Sequence, residues 1–142
     1  MLLSLQDIDQ ANQPGRRIVV KSGSSGEVYA SRHLPMATIR ILDREALCVL
    51  EVIQGRADAF IYDQLSVLAH WRRNPKTTRA NLTPFQKEAW AIGVAKDNPE
   101  LLEQVNEFLD HYRAEGGFLR LKEKYLKEQA QMFSQLNIPF IF

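Results

Sequence analysis

The feature that most constrains the fold is an alternation of short apolar runs with longer stretches of helical periodicity. Three runs are typical of strands, namely residues 18–20, 38–42 and 57–62, and the first is a candidate for a buried strand. Each is followed by a predicted helix: a short one that begins within residues 23–26 and runs toward His33, one with apolar residues on one face from an Asp43 cap through Gln54, and one over residues 64–72. Because a helix between two strands returns the chain to the same end of a sheet, this order predicts an α/β fold with a mostly parallel sheet flanked by helices.

The last third of the chain is predicted to add one strand and two C-terminal helices. The strand covers residues 89–95, and the first helix begins where Asn98 supplies a cap and Pro99 suits the first turn. A second helix is predicted over residues 118–136. The apolar stripe of the first helix consists of Leu101, Val105, Phe108, Leu109 and Tyr112.

These elements divide the chain of 142 residues into three parts. We predict a leading hinge segment over residues 1–15, an α/β domain over residues 16–95 and a C-terminal helical segment over residues 96–142. The length suffices for one domain with a hydrophobic core and is too short for two full domains.

Charge and cysteine content exclude several classes of function. A formal net charge of +1 gives no broad attraction to nucleic acid, and the short basic run from Trp71 to Arg79 is interpreted as a solvated loop. A single cysteine, Cys48, excludes an internal disulfide. No stretch approaches transmembrane length, and the first residues lack the pattern of a secretion signal. The sequence therefore indicates either an intracellular protein or a piece of a longer secreted chain.

A glycine-serine loop follows the first predicted strand. Residues 22–26 read Ser-Gly-Ser-Ser-Gly and open a helix, so unpaired backbone N–H groups would lie at the positive end of the helix dipole. Such a loop suits a carboxylate, sulfate or phosphate, although it lacks the spacing of a Walker loop. The alternative is an ordinary serine cap after a flexible turn.

A carboxylate follows the third predicted strand. Asp63 comes directly after Tyr62, where it can meet an ammonium group or simply cap the helix that begins at Gln64. Asp58 interrupts the same strand and is the weaker candidate, because it can brace the backbone instead. We refer to residues 22–26 as the anion cradle. The anion cradle and the Asp63 carboxylate at one sheet edge together fit the two charges of a zwitterion, so the pair predicts a site for a free amino acid.

Several blocks of the sequence carry a family resemblance. They follow one another in order over nearly the whole chain from Gly15, at residues 18–27, 34–37, 54–63, 91–96, 98–106, 116–125 and 137–140. In this order they resemble the second lobe and C-terminal segment of the family 3 extracellular solute-binding proteins, the amino-acid-type periplasmic binding proteins of type II fold. The first lobe of that family, with its arginine for the ligand carboxylate, has no counterpart in the sequence.

The resemblance implies a set of ligand-binding residues and partners. Ser24, Ser25 and Gly26 would hold the carboxylate of a small polar solute such as an amino acid, and Asp63 its amino group. Tyr62 and Gln64 would flank the site, although Tyr62 can equally point into the core. The resemblance further implies a component of an ABC transport system with a permease partner, a periplasmic location, and no catalytic residue, metal or cofactor.

The resemblance leaves other functions open and bears on the oligomeric state. The fold occasionally hosts dehydratases and is fused to lytic enzymes, but the isolated His33, His70 and His111 give no catalytic pattern. A sensory or structural lobe that has lost its ligand and acts through protein contacts is the main alternative. Because the stripe on the first C-terminal helix would lack its usual partner, we expect a homodimer that exchanges C-terminal helices.

Overall fold

The computed structural model describes residues 2–3 and 8–140, with side chains described from Ile8 onward. Parts of the predicted hinge segment and the last residues of the apolar tail lie outside the described residues. The chain forms two compact units, Met1–Phe85 and Gln86–Phe142. The sequence-based boundary after residue 95 stays a prediction.

The first unit contains a mixed five-stranded sheet. Its strands are β1 (Leu2–Leu3), β2 (Arg17–Lys21), β3 (Thr38–Leu42), β4 (Ala59–Ile61) and β5 (Arg79–Ala80), in the spatial order β3-β2-β4-β1-β5. Strand β2 pairs in parallel with β3 and β4, whereas β1 pairs antiparallel with β4 and β5. Only β1 therefore runs against the others, and the predicted mostly parallel α/β sheet is confirmed.

Three helices follow the parallel strands as the periodicity predicts. They are α1 (Ser25–His33), α2 (Glu45–Ile53) and α3 (Gln64–Arg73), and a short 3-10 helix covers Asp9–Ala11. Strands β2 and β4 are buried on both faces, since the side chains of Ile18, Val19, Val20 and Phe60 have no exposed surface. Burial on both faces is typical of central parallel strands covered by helices, and explains why these runs are continuously apolar.

The second unit contains three helices, α4 (Pro99–Ala114), α5 (Gly117–Tyr125) and α6 (Lys127–Gln135). The prediction of two C-terminal helices is therefore wrong in number. The second of them is interrupted at Leu126, whose φ of −125° and ψ of 17° depart from helical geometry. After this bend, α6 buries Phe133 completely and stacks its ring on that of Phe140 at 5.1 Å.

The strand predicted over residues 89–95 does not form. Backbone groups of a strand must pair with a neighbouring strand, and the described residues of the second unit contain no other strand. The cap of α4 is as predicted, because the Asn98 side chain accepts a hydrogen bond from the Leu101 amide at 3.1 Å. Within the described part of the chain, every helix is too short or too polar to cross a lipid bilayer.

Candidate functional site

The candidate site lies at the carboxyl edge of the parallel strands in the first unit. Strands β2 and β4 are neighbours in parallel register, with Ile18 opposite Ala59 and Val20 opposite Ile61. Both strands therefore end at the same edge of the sheet. The glycine-serine loop leaves β2 there, and Asp63 leaves β4 there, as the sequence predicts.

Ser24 fixes the start of α1. Its hydroxyl donates to the Lys21 carbonyl oxygen at 2.7 Å and accepts from the Glu27 amide at 3.3 Å. The hydroxyl hydrogen is thus already engaged within the loop. Gly23, at a φ of +71°, supplies the left-handed turn that leads into this cap. Ser24 therefore shapes the loop, and only its neighbours offer donors to a ligand.

Glu27 occupies part of the predicted anion cradle. Its carboxylate accepts from the Gly23 amide at 2.7 Å, in a variant of the helix capping box. The amides of Ser25 and Gly26, which come next, have no hydrogen-bond acceptor among the described residues. Ser25 is exposed, so its amide and hydroxyl form the open part of the cradle, whereas Gly26 is buried.

Gly26 brings the cradle against the end of β4. A Cβ atom at this position would lie 2.7 Å from the backbone oxygen of Ile61, closer than van der Waals contact allows. The absence of a side chain therefore lets the first turn of α1 press directly on β4. Asp63 follows Ile61 by two residues, so the cradle and the carboxylate meet at the same corner of the unit.

Asp63 caps α3 and remains exposed. Its Oδ1 accepts from the Ser66 amide at 2.9 Å, which satisfies one of the free donors at the helix start. The capping bond uses only one of the two carboxylate oxygens. Capping and recognition of an ammonium group, the two alternatives for Asp63, are thus compatible in this geometry.

Tyr62 and Gln64 have structural contacts of their own. The Tyr62 ring stacks on the buried Phe60 ring at 5.1 Å, and burial, followed by the nearby Glu45 and Asp63 carboxylates, raises the Tyr62 pKa. The Gln64 side-chain amide donates to the Leu82 carbonyl oxygen at 2.7 Å. Gln64 therefore anchors the loop around Leu82, which leaves less of its amide for a ligand.

Asp58 braces the opposite end of the strands. Its carboxylate accepts from the Arg17 backbone amide at 2.8 Å and from the Arg17 guanidinium at 2.9 Å, and these hydrogen bonds lower the Asp58 pKa. This is the bracing role that the sequence left open for Asp58. Glu51 is similarly held by Arg40 and Arg56, so both carboxylates stabilise the fold.

Sequence reasoning missed the carboxylate partners of two histidines, one of which is His111, whose Nε2 lies 3.2 Å from a Glu115 oxygen on α4. Nε2 of His70 lies 2.5 Å from a Glu45 oxygen, so this histidine is not isolated but joins α3 to the first turn of α2. His33 stacks on Tyr29 at 4.5 Å. The side chains described from Ile8 to Phe140 contain no group of three or more His, Cys, Asp or Glu residues suited to a metal ion.

Comparison with known proteins reveals relatives of two kinds. The chain is 25% identical to the glutamate-binding protein GluB of Corynebacterium efficiens, over 93% of the chain and 45% of GluB. It is 27% identical to the membrane-bound lytic murein transglycosylase F of Pseudomonas syringae pv. tomato, over 82% of the chain and 24% of the transglycosylase. No family model matches the sequence.

A solved structure shares the fold. It is a putative binding component of an ABC transporter from Wolinella succinogenes, complexed with lysine, with a TM-score of 0.75 and 26% identity. The match covers 89% of the chain and 60% of that protein. The chain thus spans about half the length of the binding proteins it matches and a quarter of the transglycosylase.

Proposed function

From the relationship of this chain to the family 3, amino-acid-type solute-binding proteins, we propose that it binds the charged backbone of a free amino acid. One observation carries the proposal. The unpaired amides of Ser25 and Gly26 and the exposed carboxylate of Asp63 lie at one edge of the sheet, where α1 presses on β4. Donors and an acceptor side by side suit the opposite charges of a zwitterion.

Each part of the site has a separate task. The Ser25 and Gly26 amides and the Ser25 hydroxyl bind the α-carboxylate, helped by the α1 dipole. The Asp63 oxygen that is not engaged by Ser66 accepts a hydrogen bond from the α-ammonium group. Ser24 positions the amides, while Tyr62 and Gln64 support the walls of the site through Phe60 and Leu82.

We further propose that the chain serves an ABC transport system in the periplasm, with a permease as partner. The lysine-bound binding component from Wolinella succinogenes supports this assignment. We also propose that the site is one side of a clamp, as the resemblance to the family implies, and the match to 45% of GluB is compatible with this. Such a half-site leaves the ligand partly in water, so we expect an affinity on the order of millimolar for the chain alone.

Amide-detected NMR titration tests the proposal at this affinity. The chain is titrated with L-lysine, L-glutamate, L-glutamine and L-alanine, and at least one of them is expected to shift the Ser25 and Gly26 amide signals. Asp63→Asn keeps a good helix cap but loses the charge, so affinity should fall about tenfold or more. Asp43→Asn is the matched control, because Asp43 is an exposed carboxylate at the end of the neighbouring edge strand. No shift with any of the four ligands would contradict the proposal and favour a sensory or structural lobe.

We propose a binding role without catalysis. The transglycosylase relative is an enzyme by name, and the fold also hosts dehydratases, so a catalytic role needs a test of its own. The contacts of His70 with Glu45 and of His33 with Tyr29 support structural roles for these histidines. The ligand signals in the same NMR samples are expected to stay unchanged over hours, whereas the appearance of product signals would contradict a pure binding role.

We also propose that the C-terminal helices mediate a homodimer. Helix α4 has no buried residue, and Leu101, Leu102 and Phe108 are 43%, 46% and 61% exposed. Burying such side chains against a second copy yields roughly 1.5–3 kcal/mol each. Light scattering is expected to report a dimer that Phe108→Glu weakens. A stable monomer of the unchanged chain would contradict this proposal.

A further inference from the structure

A cluster of basic residues lies away from the candidate site, around the turn that links α3 to β5. It consists of Arg72, Arg73, Lys76 and Arg79, and we refer to these residues as the basic turn. No aspartate or glutamate occurs from Gln64 through Lys87. The four residues of the basic turn carry +4 and the whole chain has a formal net charge of +1, so the residues outside the basic turn together carry −3. Positive charge is therefore concentrated in the basic turn.

The basic turn is an ordered structure. The Asn74 carbonyl oxygen accepts hydrogen bonds from the Thr78 amide at 3.1 Å and the Thr78 hydroxyl at 2.8 Å. Thr78 is 5% exposed, and β5 then pairs with β1 at the sheet edge. The four cations therefore lie within eight residues, at the end of α3, in the turn and at the start of β5.

All four basic side chains are exposed. None of them forms an ion pair with any residue from Ile8 to Phe140. Arg72 and Arg73 favour the negative end of the α3 dipole, which accounts for two of the cations. Lys76 and Arg79 lie beyond the helix end, so the dipole does not account for them.

We propose that the basic turn is a docking surface for a membrane that contains anionic phospholipids. Unpaired cations on one exposed turn are complementary to a layer of phosphate groups, and each is expected to strengthen such binding about fivefold. The one aromatic side chain that adjoins this segment, Trp71, is half-buried, and residues 72–79 contain none, so few rings can stack on bases; this favours a lipid surface over single-stranded nucleic acid.

Docking would leave the candidate site accessible. Helix α3 begins next to Asp63 and ends at Arg73, so the two features are separated by about 15 Å along the helix. The inference does not depend on the proposed amino-acid binding, and a chain without ligand affinity would still carry this surface.

Vesicle co-sedimentation tests the proposal with the full chain. Vesicles of phosphatidylcholine alone are compared with vesicles containing about 30% phosphatidylglycerol, at ionic strengths of about 50 mM and 300 mM. The test variant replaces the four residues of the basic turn by glutamine. The matched control replaces four exposed cations elsewhere, Arg32, Lys96, Lys124 and Lys127, so both variants lose the same charge. Circular dichroism verifies that both variants remain folded.

The expected result is binding only to the phosphatidylglycerol vesicles, weakened by salt. The test variant should bind at least about a hundredfold more weakly, while the control retains most of its affinity. Absence of binding at low salt would overturn the proposal, and so would equal losses in the two variants, which would indicate a net-charge effect. Binding to single-stranded RNA in the absence of vesicle binding would assign the surface to a different partner and would also overturn it.

Discussion

Replacing Gly26 by alanine tests the contact that joins the two halves of the site. The added Cβ atom would lie 2.7 Å from the Ile61 backbone oxygen, whereas ordinary contacts begin at 3.4 Å. The first turn of α1 must therefore withdraw by several tenths of an ångström, because the obstructing atom belongs to the backbone of a central strand. Such overpacking costs about 1–3 kcal/mol.

A gain in helix propensity offsets part of this cost. Alanine is up to about 1 kcal/mol better than glycine in a helix, and less near the helix end, so the net loss for Gly26→Ala is about 1–2 kcal/mol. Urea denaturation followed by circular dichroism measures this difference. Gly93→Ala is the matched control, since a Cβ atom there meets nothing within 4 Å. We expect the control to change stability by less than about 0.5 kcal/mol.

The same variant tests the link from packing to binding. Withdrawal of α1 moves the Ser25 and Gly26 amides away from Asp63, so any amino-acid affinity should fall in Gly26→Ala and persist in Gly93→Ala. If Gly26→Ala is as stable as the unchanged chain, α1 does not press on Ile61.

Three further predictions concern groups outside the cradle. Hydrogen bonds from Arg17 lower the folded-state pKa of Asp58, so the stabilising effect of Asp58 is present above pH 3.8 and is lost as the pH falls through its folded-state pKa. Acid titration of Asp58→Asn should therefore show a shallower loss of stability than the unchanged chain. An unchanged pH profile would contradict this. Burial raises the pKa of Cys48 to about 11, so a thiol reagent at pH 8 should label the chain only after unfolding, and rapid labelling of the folded chain would argue against burial. Gln64→Ala removes the hydrogen bond to Leu82 and should lower the free energy of unfolding, measured by urea denaturation, by about 0.5–1.5 kcal/mol. Ligand affinity should change by less than about twofold. A large loss of affinity at unchanged stability would show that Gln64 contacts the ligand instead.

The common edge of the candidate site could be predicted from the sequence. Two apolar runs separated by helices predicted parallel strands, and the loop after each run therefore had to emerge at the same edge. The structure confirms this for β2 and β4. The periodicity carries the information because both strands are buried on both faces, which requires continuous apolar runs.

The uses of individual polar groups could not be predicted. Ser24 and Ser25 are the same residue type in the same loop, yet Ser24 is engaged by Lys21 and Ser25 is open. The bond from the Gly23 amide to Glu27 likewise depends on the exact path of the turn. Sequence patterns identify which residue types lie in a loop, but they do not reveal which hydrogen-bond donors are already paired within the loop.

The incorrect predictions for the second unit share one cause, which is that its local structure depends on tertiary contacts. Residues 89–95 have the composition of a strand, but a strand forms only beside a partner, which a local pattern does not reveal. No glycine or proline near Leu126 indicates the bend in the sequence. Strands β1 and β5 have two residues each, too few for any alternation to be visible.

We propose that the cradle and Asp63 bind opposite charges of one small molecule. Titration with L-glutamine, N-acetylglutamine and glutaminamide tests it most directly, because the side chain is neutral and each derivative removes one backbone charge. The unchanged chain should prefer glutamine over both derivatives, and Asp63→Asn should abolish only the preference over N-acetylglutamine. If Asp63→Asn retains that preference, Asp63 does not bind the α-ammonium group.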